Sequence, residues 1–185
     1  PGAVSSSLHY RRPLAGVDAA AGEVWLLDTN NRVLHVHDGE RWRQVTTPFN
    51  GVRQADVGPD GRLWLDFSSH DAAGFVARYD GGGEWDTYTN GLPGFGEHYL
   101  TGDGWFLAAA DGSVWFNPVG DFRTTGLECD GVANFDGEVV RTYLEGLCIA
   151  AMDVAPDGRL WAQAHEETLG ATIHLYVITP EAVAE

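Results

Sequence analysis

Short runs of alternating apolar and polar residues recur along the chain, and glycine, aspartate or proline residues bound each run. Residues 52–57 and 149–154 are two such runs. Alternation with a period of two predicts half-buried β-strands. No window shows the 3.6-residue period with end caps that an amphipathic helix requires. The pattern therefore predicts an all-β chain with almost no helix.

A turn followed by a tryptophan is repeated along this pattern. Residues 59–64 read Pro-Asp-Gly-Arg-Leu-Trp, and the same six residue types return at 156–161. Weaker copies end at Trp25 and at Trp115. A spacing of ~40–50 residues predicts an array of one small module. Because the tryptophan occurs once per module at a fixed place, we expect it to pack between modules. The residues concerned are Trp25, Trp64, Trp115 and Trp161.

Each module is predicted to contain four strands. An Asp-Gly pair joins the first two strands, and an aromatic-Asp-Gly step joins the last two, as at 79–81 and 135–137 and in a variant at 37–39. Asp-Gly favours two-residue hairpins in which both central residues have positive φ. A further aromatic residue follows on the fourth strand. By this alignment it is Trp42, Trp85 or Tyr143. Two hairpins per module give a four-stranded antiparallel sheet that must stack on copies of itself.

These motifs resemble the repeat of two-component-regulator β-propellers. That repeat runs aliphatic-x-Asp-Gly-x-aliphatic-Trp, then aromatic-Asp-Gly and a final aromatic residue. The chain is also similar to the blades of streptogramin lyases, which carry a Pro-Asp-Gly-x-Leu-Trp step. The resemblance covers nearly the whole chain and is clearest at 52–89 and 148–162. It implies an all-β β-propeller of radially stacked, four-stranded antiparallel blades.

We expect a single propeller domain over residues 1–185, excised from a longer protein because the chain lacks an initiating Met. The predicted blades lie at about 17–46, 52–89, 104–143 and 148–178. The last has no recognisable fourth strand, whereas residues 5–12 precede the first blade as an orphan strand. Pairing of that strand with the last blade would close four blades into a ring. The alternative is part of a ring of about six to eight blades.

The charge of the chain limits its partners. Eleven Lys and Arg residues against 27 Asp and Glu residues give a formal net charge of −16. Such a charge repels nucleic-acid phosphates and an anionic membrane surface. No stretch approaches the ~18–20 apolar residues that cross a bilayer, so we expect no membrane insertion of this segment. A small molecule or a protein remains as the partner.

The two cysteines are predicted to form a disulfide. Cys129 ends a long insertion in the third module (117–130), and Cys148 starts the fourth module. A bridge here would stabilise the fold by roughly 2–4 kcal/mol. The alternative is a pair of separate buried thiols. A disulfide favours an extracytoplasmic or secreted location, which the regulator-type resemblance also implies.

Unusual polar residues concentrate on one predicted face of the ring. The connections from second to third strands and from blade to blade share this face, here called the long-loop face, and the Asp-Gly hairpins occupy the opposite turn face. Long loops on a rigid scaffold commonly carry binding function, although loop residues also simply contact solvent. The candidate ligand-binding residues are Asp28, Asn30, Asp66, His70, His98, His165 and Glu166. By contrast, His35, His37 and His174 alternate with apolar residues on predicted third strands, which favours a structural role.

The sequence contains no sharp catalytic motif. It lacks His-Glu-x-x-His, a Cys-rich zinc spacing, Gly-x-Ser-x-Gly and a phosphate-binding glycine loop. We therefore expect a non-catalytic binding or sensor domain without a cofactor. The resemblance implies the extracytoplasmic part of a bacterial signalling or surface protein. One alternative is a metal-assisted lyase or hydrolase with a His/carboxylate site and a divalent metal on the long-loop face. Another is a structural blade array within a larger enzyme or adhesin.

Overall fold

The computed structural model describes residues 15–18, 23–28, 33–47, 52–69, 72–88, 99–100, 105–119, 129–167 and 172–180. These residues form strands and their connections, which confirms the predicted all-β class. Strands β1 to β8 are Ala15–Asp18, Glu23–Asp28, Val33–His37, Trp42–Thr46, Val52–Val57, Leu63–Ser69, Ala72–Tyr79 and Trp85–Tyr88. Strands β9 to β14 are Tyr99–Leu100, Phe106–Ala108, Val114–Phe116, Pro118–Val119, Val132–Phe135 and Val140–Tyr143. Strands β15 to β17 are Cys148–Val154, Leu160–His165 and His174–Ile178.

The strands form four antiparallel sheets that follow one another along the chain. The strand orders are β1-β2-β3-β4, β5-β6-β7-β8, β10-β11-β13-β14 and β15-β16-β17. Each sheet is an antiparallel meander, and in the third sheet the insertion at 117–130, which contains β12, separates β11 from β13. The predicted strand from residues 5–12, which would complete the fourth sheet, lies outside the described residues. Closure into a ring therefore stays a prediction.

A separate pair of two-residue strands, β9 and β12, lies beside the second sheet, because β9 contacts β6 and β7. Pro118 pairs with Leu100, and Val119 pairs with Tyr99. The sequence predicts a long insertion at residues 117–130 and does not predict this pairing. Two-residue strands are too short to show an alternation of apolar and polar residues, so the sequence pattern cannot predict them.

The Asp-Gly turns that join first to second strands differ in type from the predicted two-residue hairpins. At 38–41 and 136–139, by contrast, the Asp N–H donates to the carbonyl three residues ahead, which leaves a two-residue loop. In the turn between β5 and β6, the Gly58 N–H donates to the Arg62 carbonyl and the Gly61 N–H donates to the Gly58 carbonyl, both at 2.9 Å. Gly61 has φ +78°, whereas Asp60 is not among the described residues with positive φ. This is a type I turn followed by a left-handed glycine, a three-residue hairpin loop. The same bonds recur at 109–113 and 155–159.

The aspartate side chain explains this choice of turn. Asp60 Oδ1 accepts a hydrogen bond from the Arg62 N–H at 3.0 Å. Such an Asx turn lets the aspartate keep an ordinary φ, so only the glycine needs the left-handed region. The remaining Asp-Gly turns use the same contact with the N–H two residues ahead. Their aspartates are Asp38, Asp80, Asp111, Asp136 and Asp157.

Apolar clusters between consecutive sheets form the core. The first joins Trp25 to Tyr79, whose ring centroids are 6.0 Å apart. The second joins Trp64 to Phe135, with centroids 5.9 Å apart. The third places Trp115 among side chains of the fourth sheet. Three of the repeated tryptophans are therefore buried between sheets, as predicted.

The prediction is wrong for the fourth tryptophan. Trp161 is 39% exposed, although its six-residue segment matches that of the fully buried Trp64. The physical reason is positional: within the described residues no apolar cluster covers this face of the fourth sheet. Burial of the repeated tryptophan thus depends on the sheet that follows.

No helix in the described part of the chain is long and apolar enough to cross a membrane.

Candidate ligand-binding face

The antiparallel order fixes which strand ends share the long-loop face. The Asp-Gly turns join first to second strands at the opposite end of each sheet. The second strand of a sheet therefore ends at the long-loop face, where the first strand begins. Asp28 is the last residue of β2, and His165 is the last residue of β16. Both reach the predicted face.

The other candidate residues fall into two groups. Asn30, His70 and His98 lie outside the described residues. Asp66 was expected in a loop, but it lies within β6 and is buried. A polar residue at this position suggests the end of a strand, but the pairing of β6 with β7 continues to Ser69. Of the three histidines predicted to be structural, all lie on third strands as expected, and His174 is exposed.

His165 and Glu166 form the described part of the candidate site. The His165 Nδ1 atom lies 2.7 Å from the carbonyl oxygen of Glu166. A carbonyl oxygen can only accept, so Nδ1 carries the shared proton. In the neutral ring Nε2 is then a hydrogen-bond acceptor. Glu166 is exposed. The pair offers an imidazole acceptor and a carboxylate at the open end of the fourth sheet.

The predicted disulfide lies directly beside this pair. Cys129 is bonded to Cys148, which confirms the prediction. Cys148 is opposite His165 in the β15–β16 ladder. The bridge connects the approach to β13 in the third sheet with the first strand of the fourth. A disulfide of this kind indicates an oxidising environment.

Asn117 and Gly131, which the sequence did not predict as part of the site, form hydrogen bonds near the disulfide. The Asn117 side-chain amide donates to the Gly131 carbonyl at 3.2 Å, and its Oδ1 accepts from the Trp105 N–H at 3.2 Å. The Gly131 N–H donates to the Leu147 carbonyl at 3.0 Å. We call Asn117, Cys129, Gly131, Cys148 and His165 the long-loop rim. No spacing in the sequence connects Asn117 with Gly131, because their bond depends on the fold.

The carboxylates of the turn face are committed to their own turns. The Arg41 and Glu40 N–H groups lower the pKa of Asp38. Burial raises the pKa of Asp136, but the Val139 N–H and the Arg141 guanidinium outweigh it, so that the pKa is lowered. The Arg159 side chain and N–H lower the pKa of Asp157. These groups stay ionised and engaged, which suits a structural role.

Asp56 is a further titratable residue that the sequence analysis did not single out. It lies on β5, and its Oδ2 accepts from the Ala108 N–H of the third sheet at 2.8 Å. Burial is the main cause that raises the pKa of Asp56, and the negative charge of Asp153 adds to it. The hydrogen bond joins the innermost strands of two sheets. Among the described residues, no group of three or more His, Cys, Asp or Glu side chains is placed to hold a metal ion.

The sequence matches no family model and no curated protein. Solved structures do match the fold. A streptogramin B lyase aligns with a TM-score of 0.55 at 15% identity, over 89% of this chain and 53% of that chain. YCF48 bound to D1 peptide aligns at 0.51 and 14%, over 80% and 45%. A gluconolactonase from Xanthomonas campestris aligns at 0.53 and 16%, over 87% and 57%.

At these identities the likeness shows the fold alone. The neighbours are β-propeller-like proteins, which supports the predicted propeller fold, whereas the two-component-regulator repeat type is not confirmed. The fold is shared by a peptide-bound protein and by enzymes. The chain spans about half the length of these neighbours. The four sheets are therefore β-propeller blades in their architecture.

Proposed function

We propose that this chain is a non-catalytic binding domain that presents its long-loop face to a polypeptide partner. It acts outside the cytoplasm, as a sensing or interaction part of a bacterial signalling or surface protein. The observation that carries the proposal is the long-loop rim. A disulfide and the Gly131–Leu147 hydrogen bond hold the ends of two sheets together beside His165, and the Asn117 side chain fixes Gly131 within the third sheet. Such preorganisation reduces the entropy that a binding surface loses when its partner docks.

The two faces differ in what their polar groups can do. On the turn face, each described Asp-Gly aspartate accepts a backbone N–H of its own turn. On the long-loop face, His165 Nε2 remains an acceptor and Glu166 is exposed. A partner that brings N–H or ammonium donors would find its acceptors there. This difference supports the long-loop face as the binding face.

The charge of the chain favours a basic partner. The six arginines whose side chains are described all pair with a carboxylate. The net charge of −16 therefore reflects carboxylates in excess of these pairs. A cationic peptide segment would be attracted by this field, and its association rate would fall as salt screens it. YCF48, a neighbour in fold, is bound to a peptide, which supports the choice of a polypeptide.

A peptide-display experiment tests the proposal. Random 15-residue peptides are selected on the full chain, and the affinity of an enriched peptide is measured for three proteins. The double variant His165→Ala, Glu166→Gln should bind about tenfold more weakly, a loss of about 1.4 kcal/mol. The control Thr87→Ala, an exposed position on β8, should bind within about twofold of the original chain.

Two outcomes would count against it. Enrichment no better than for scrambled peptides would remove the binding role. Equal affinities for the double variant and the control would move the site away from the rim.

A calorimetric titration with Zn²⁺ or Mn²⁺ addresses the enzyme alternative. Stoichiometric heat that disappears in His165→Ala would favour a metal-assisted lyase or hydrolase instead.

A further inference from the structure

Equivalent positions on the four sheets have very different burial. In each sheet the repeated tryptophan and two third-strand partners form the side that packs on the next sheet, here called the forward side. Trp25, Leu34 and Val36 occupy it in the first sheet and are buried. In the fourth sheet the same register positions hold Trp161, Leu175 and Val177, which are 39%, 61% and 45% exposed. The forward side of the last sheet is an uncovered apolar surface.

The opposite side of the first sheet is also incompletely covered. The residue before the tryptophan points to the preceding sheet, and we call this the backward side. Leu63, Val114 and Leu160 occupy that position in the later sheets and are buried. In the first sheet, Val24 and its neighbour Leu26 are only half-buried. The first sheet thus carries the half of an interface that the fourth sheet lacks.

Each of the three described interfaces joins a forward side to a backward side. The first and second sheets meet in this way around Trp25, and the next two pairs follow around Trp64 and Trp115. The uncovered forward side of the fourth sheet and the half-buried backward side of the first are therefore the two halves of a fourth copy of the same interface. Complementary surfaces at opposite ends of one chain are the condition for head-to-tail assembly.

We propose that a second copy of this chain covers both ends. The forward side of the fourth sheet of one copy packs on the backward side of the first sheet of the other, and the reverse contact repeats the interface. Two four-sheet chains then close a ring of eight sheets, within the range of about four to eight blades known for propellers. The chain spans 53% of a streptogramin B lyase and 57% of a gluconolactonase of the same fold. A whole ring of this size therefore needs about four sheets in addition to the four of one chain.

Charge sets a condition on the assembly. Each copy has a formal net charge of −16, so the copies repel one another over long distances. Salt screens this repulsion within a Debye length of about 10 Å at 0.1 M. The apolar contact at Trp161 is much less sensitive to salt. Dimer formation should therefore strengthen as salt is added, in contrast to the proposed binding of a cationic peptide.

The mass in solution is the first test. Sedimentation equilibrium of the full chain at 0.5 M salt should give twice the 20.0 kDa of one copy. His37 is opposite Val24 in the β2–β3 ladder and therefore lies on the backward side. Leu175→Asp on the forward side and His37→Asp on the backward side should each raise the dimer dissociation constant at least ~30-fold, as for a central interface residue. Thr87→Asp adds the same charge at an exposed position on β8 and should leave it within about twofold. Circular dichroism and urea unfolding of the monomers verify that each variant is folded.

A mixing experiment determines the geometry. When Leu175→Asp and His37→Asp chains are combined, one interface of the ring carries both substitutions and the other carries neither. The mixture should therefore recover mixed dimers that neither variant forms alone. A dimer lost in Leu175→Asp but unaffected by His37→Asp would show forward-to-forward pairing and overturn the proposal. A chain that stays monomeric at the highest concentration would also overturn the proposal. This holds both if oxidative labelling shows that Trp161 is exposed and if it shows that Trp161 is protected because the chain closes on itself.

Discussion

Gly131 lies at the long-loop rim, just before β13 and against the end of the neighbouring strand β14. Its φ is +73°, in the left-handed region that side chains disfavour. A Cβ atom at this position would lie 2.2 Å from the Tyr143 carbonyl oxygen and 2.6 Å from that of Leu144. Backbone atoms cannot swing aside as a flexible side chain can. The position therefore requires glycine on two independent grounds.

Gly146, in the connection between β14 and β15, provides a matched control. Its φ is +81°, and nothing lies within 4 Å of a Cβ built there. Gly146→Ala should therefore cost only the left-handed conformation, about 1–2 kcal/mol. Gly131→Ala adds overpacking of about 1–3 kcal/mol. It also weakens the hydrogen bond to Leu147, worth about 1 kcal/mol, so we expect a total loss of about 3–6 kcal/mol.

Urea unfolding at pH 7, followed by tryptophan fluorescence, measures both losses. The midpoints give the change in the free energy of unfolding if the slope is unchanged. A loss of this size is a large part of the roughly 5–15 kcal/mol that stabilises a domain. Gly131→Ala should therefore lower the urea midpoint much further than Gly146→Ala does. Equal losses in the two variants would refute the close approach at Gly131.

Three further predictions concern the disulfide, the half-buried carboxylate of Asp56 and the tryptophans. Replacing both Cys129 and Cys148, 19 positions apart, by Ser should lower the free energy of unfolding by about 3 kcal/mol in urea; an unchanged midpoint would contradict this. Because the folded pKa of Asp56 is raised, its ionisation costs stability as the pH rises above 3.8. Asp56→Asn should therefore stabilise the fold at pH 7 and lose this advantage near about pH 3. In urea unfolding of the monomer, Trp115→Ala should lower the free energy of unfolding by about 3–5 kcal/mol and Trp161→Ala by about 1–2 kcal/mol. Equal losses would show that the different burial of the two side chains has no energetic consequence.

The elements that local patterns encode were predicted from the sequence. Strands such as β5 (Val52–Val57) follow from alternation, and the repeated tryptophan marks the second strand of each sheet. The disulfide followed from the placement of two cysteines in adjacent modules. These features depend on residues close together in the chain or on a simple repeat. The all-β class and the antiparallel sheets could therefore be predicted without knowledge of the tertiary structure.

The features that were missed depend on contacts across the fold. Asp-Gly is compatible with two turn types, and the side-chain bond of Asp60 to Arg62 selects the type observed. Asp66 was assigned to a loop on polarity alone, but its strand continues past it. Asn117 entered no prediction because its partner Gly131 lies beyond the insertion. For the candidate site, His165 and Glu166 were predicted, whereas the rim that holds them was only partly foreseen.

The contrast between Trp64 and Trp161 shows how stability is distributed in this molecule. Their segments are identical, but one side chain is buried and the other is 39% exposed. In an array of repeats, stability is approximately the sum of each unit and its contacts with neighbours. The fourth sheet has a described neighbour on one side only, where the bonds at the long-loop rim, including the disulfide, add to the apolar cluster around Trp115. The same residues therefore hold the last sheet and shape the proposed binding face, and loss of the rim should weaken both together.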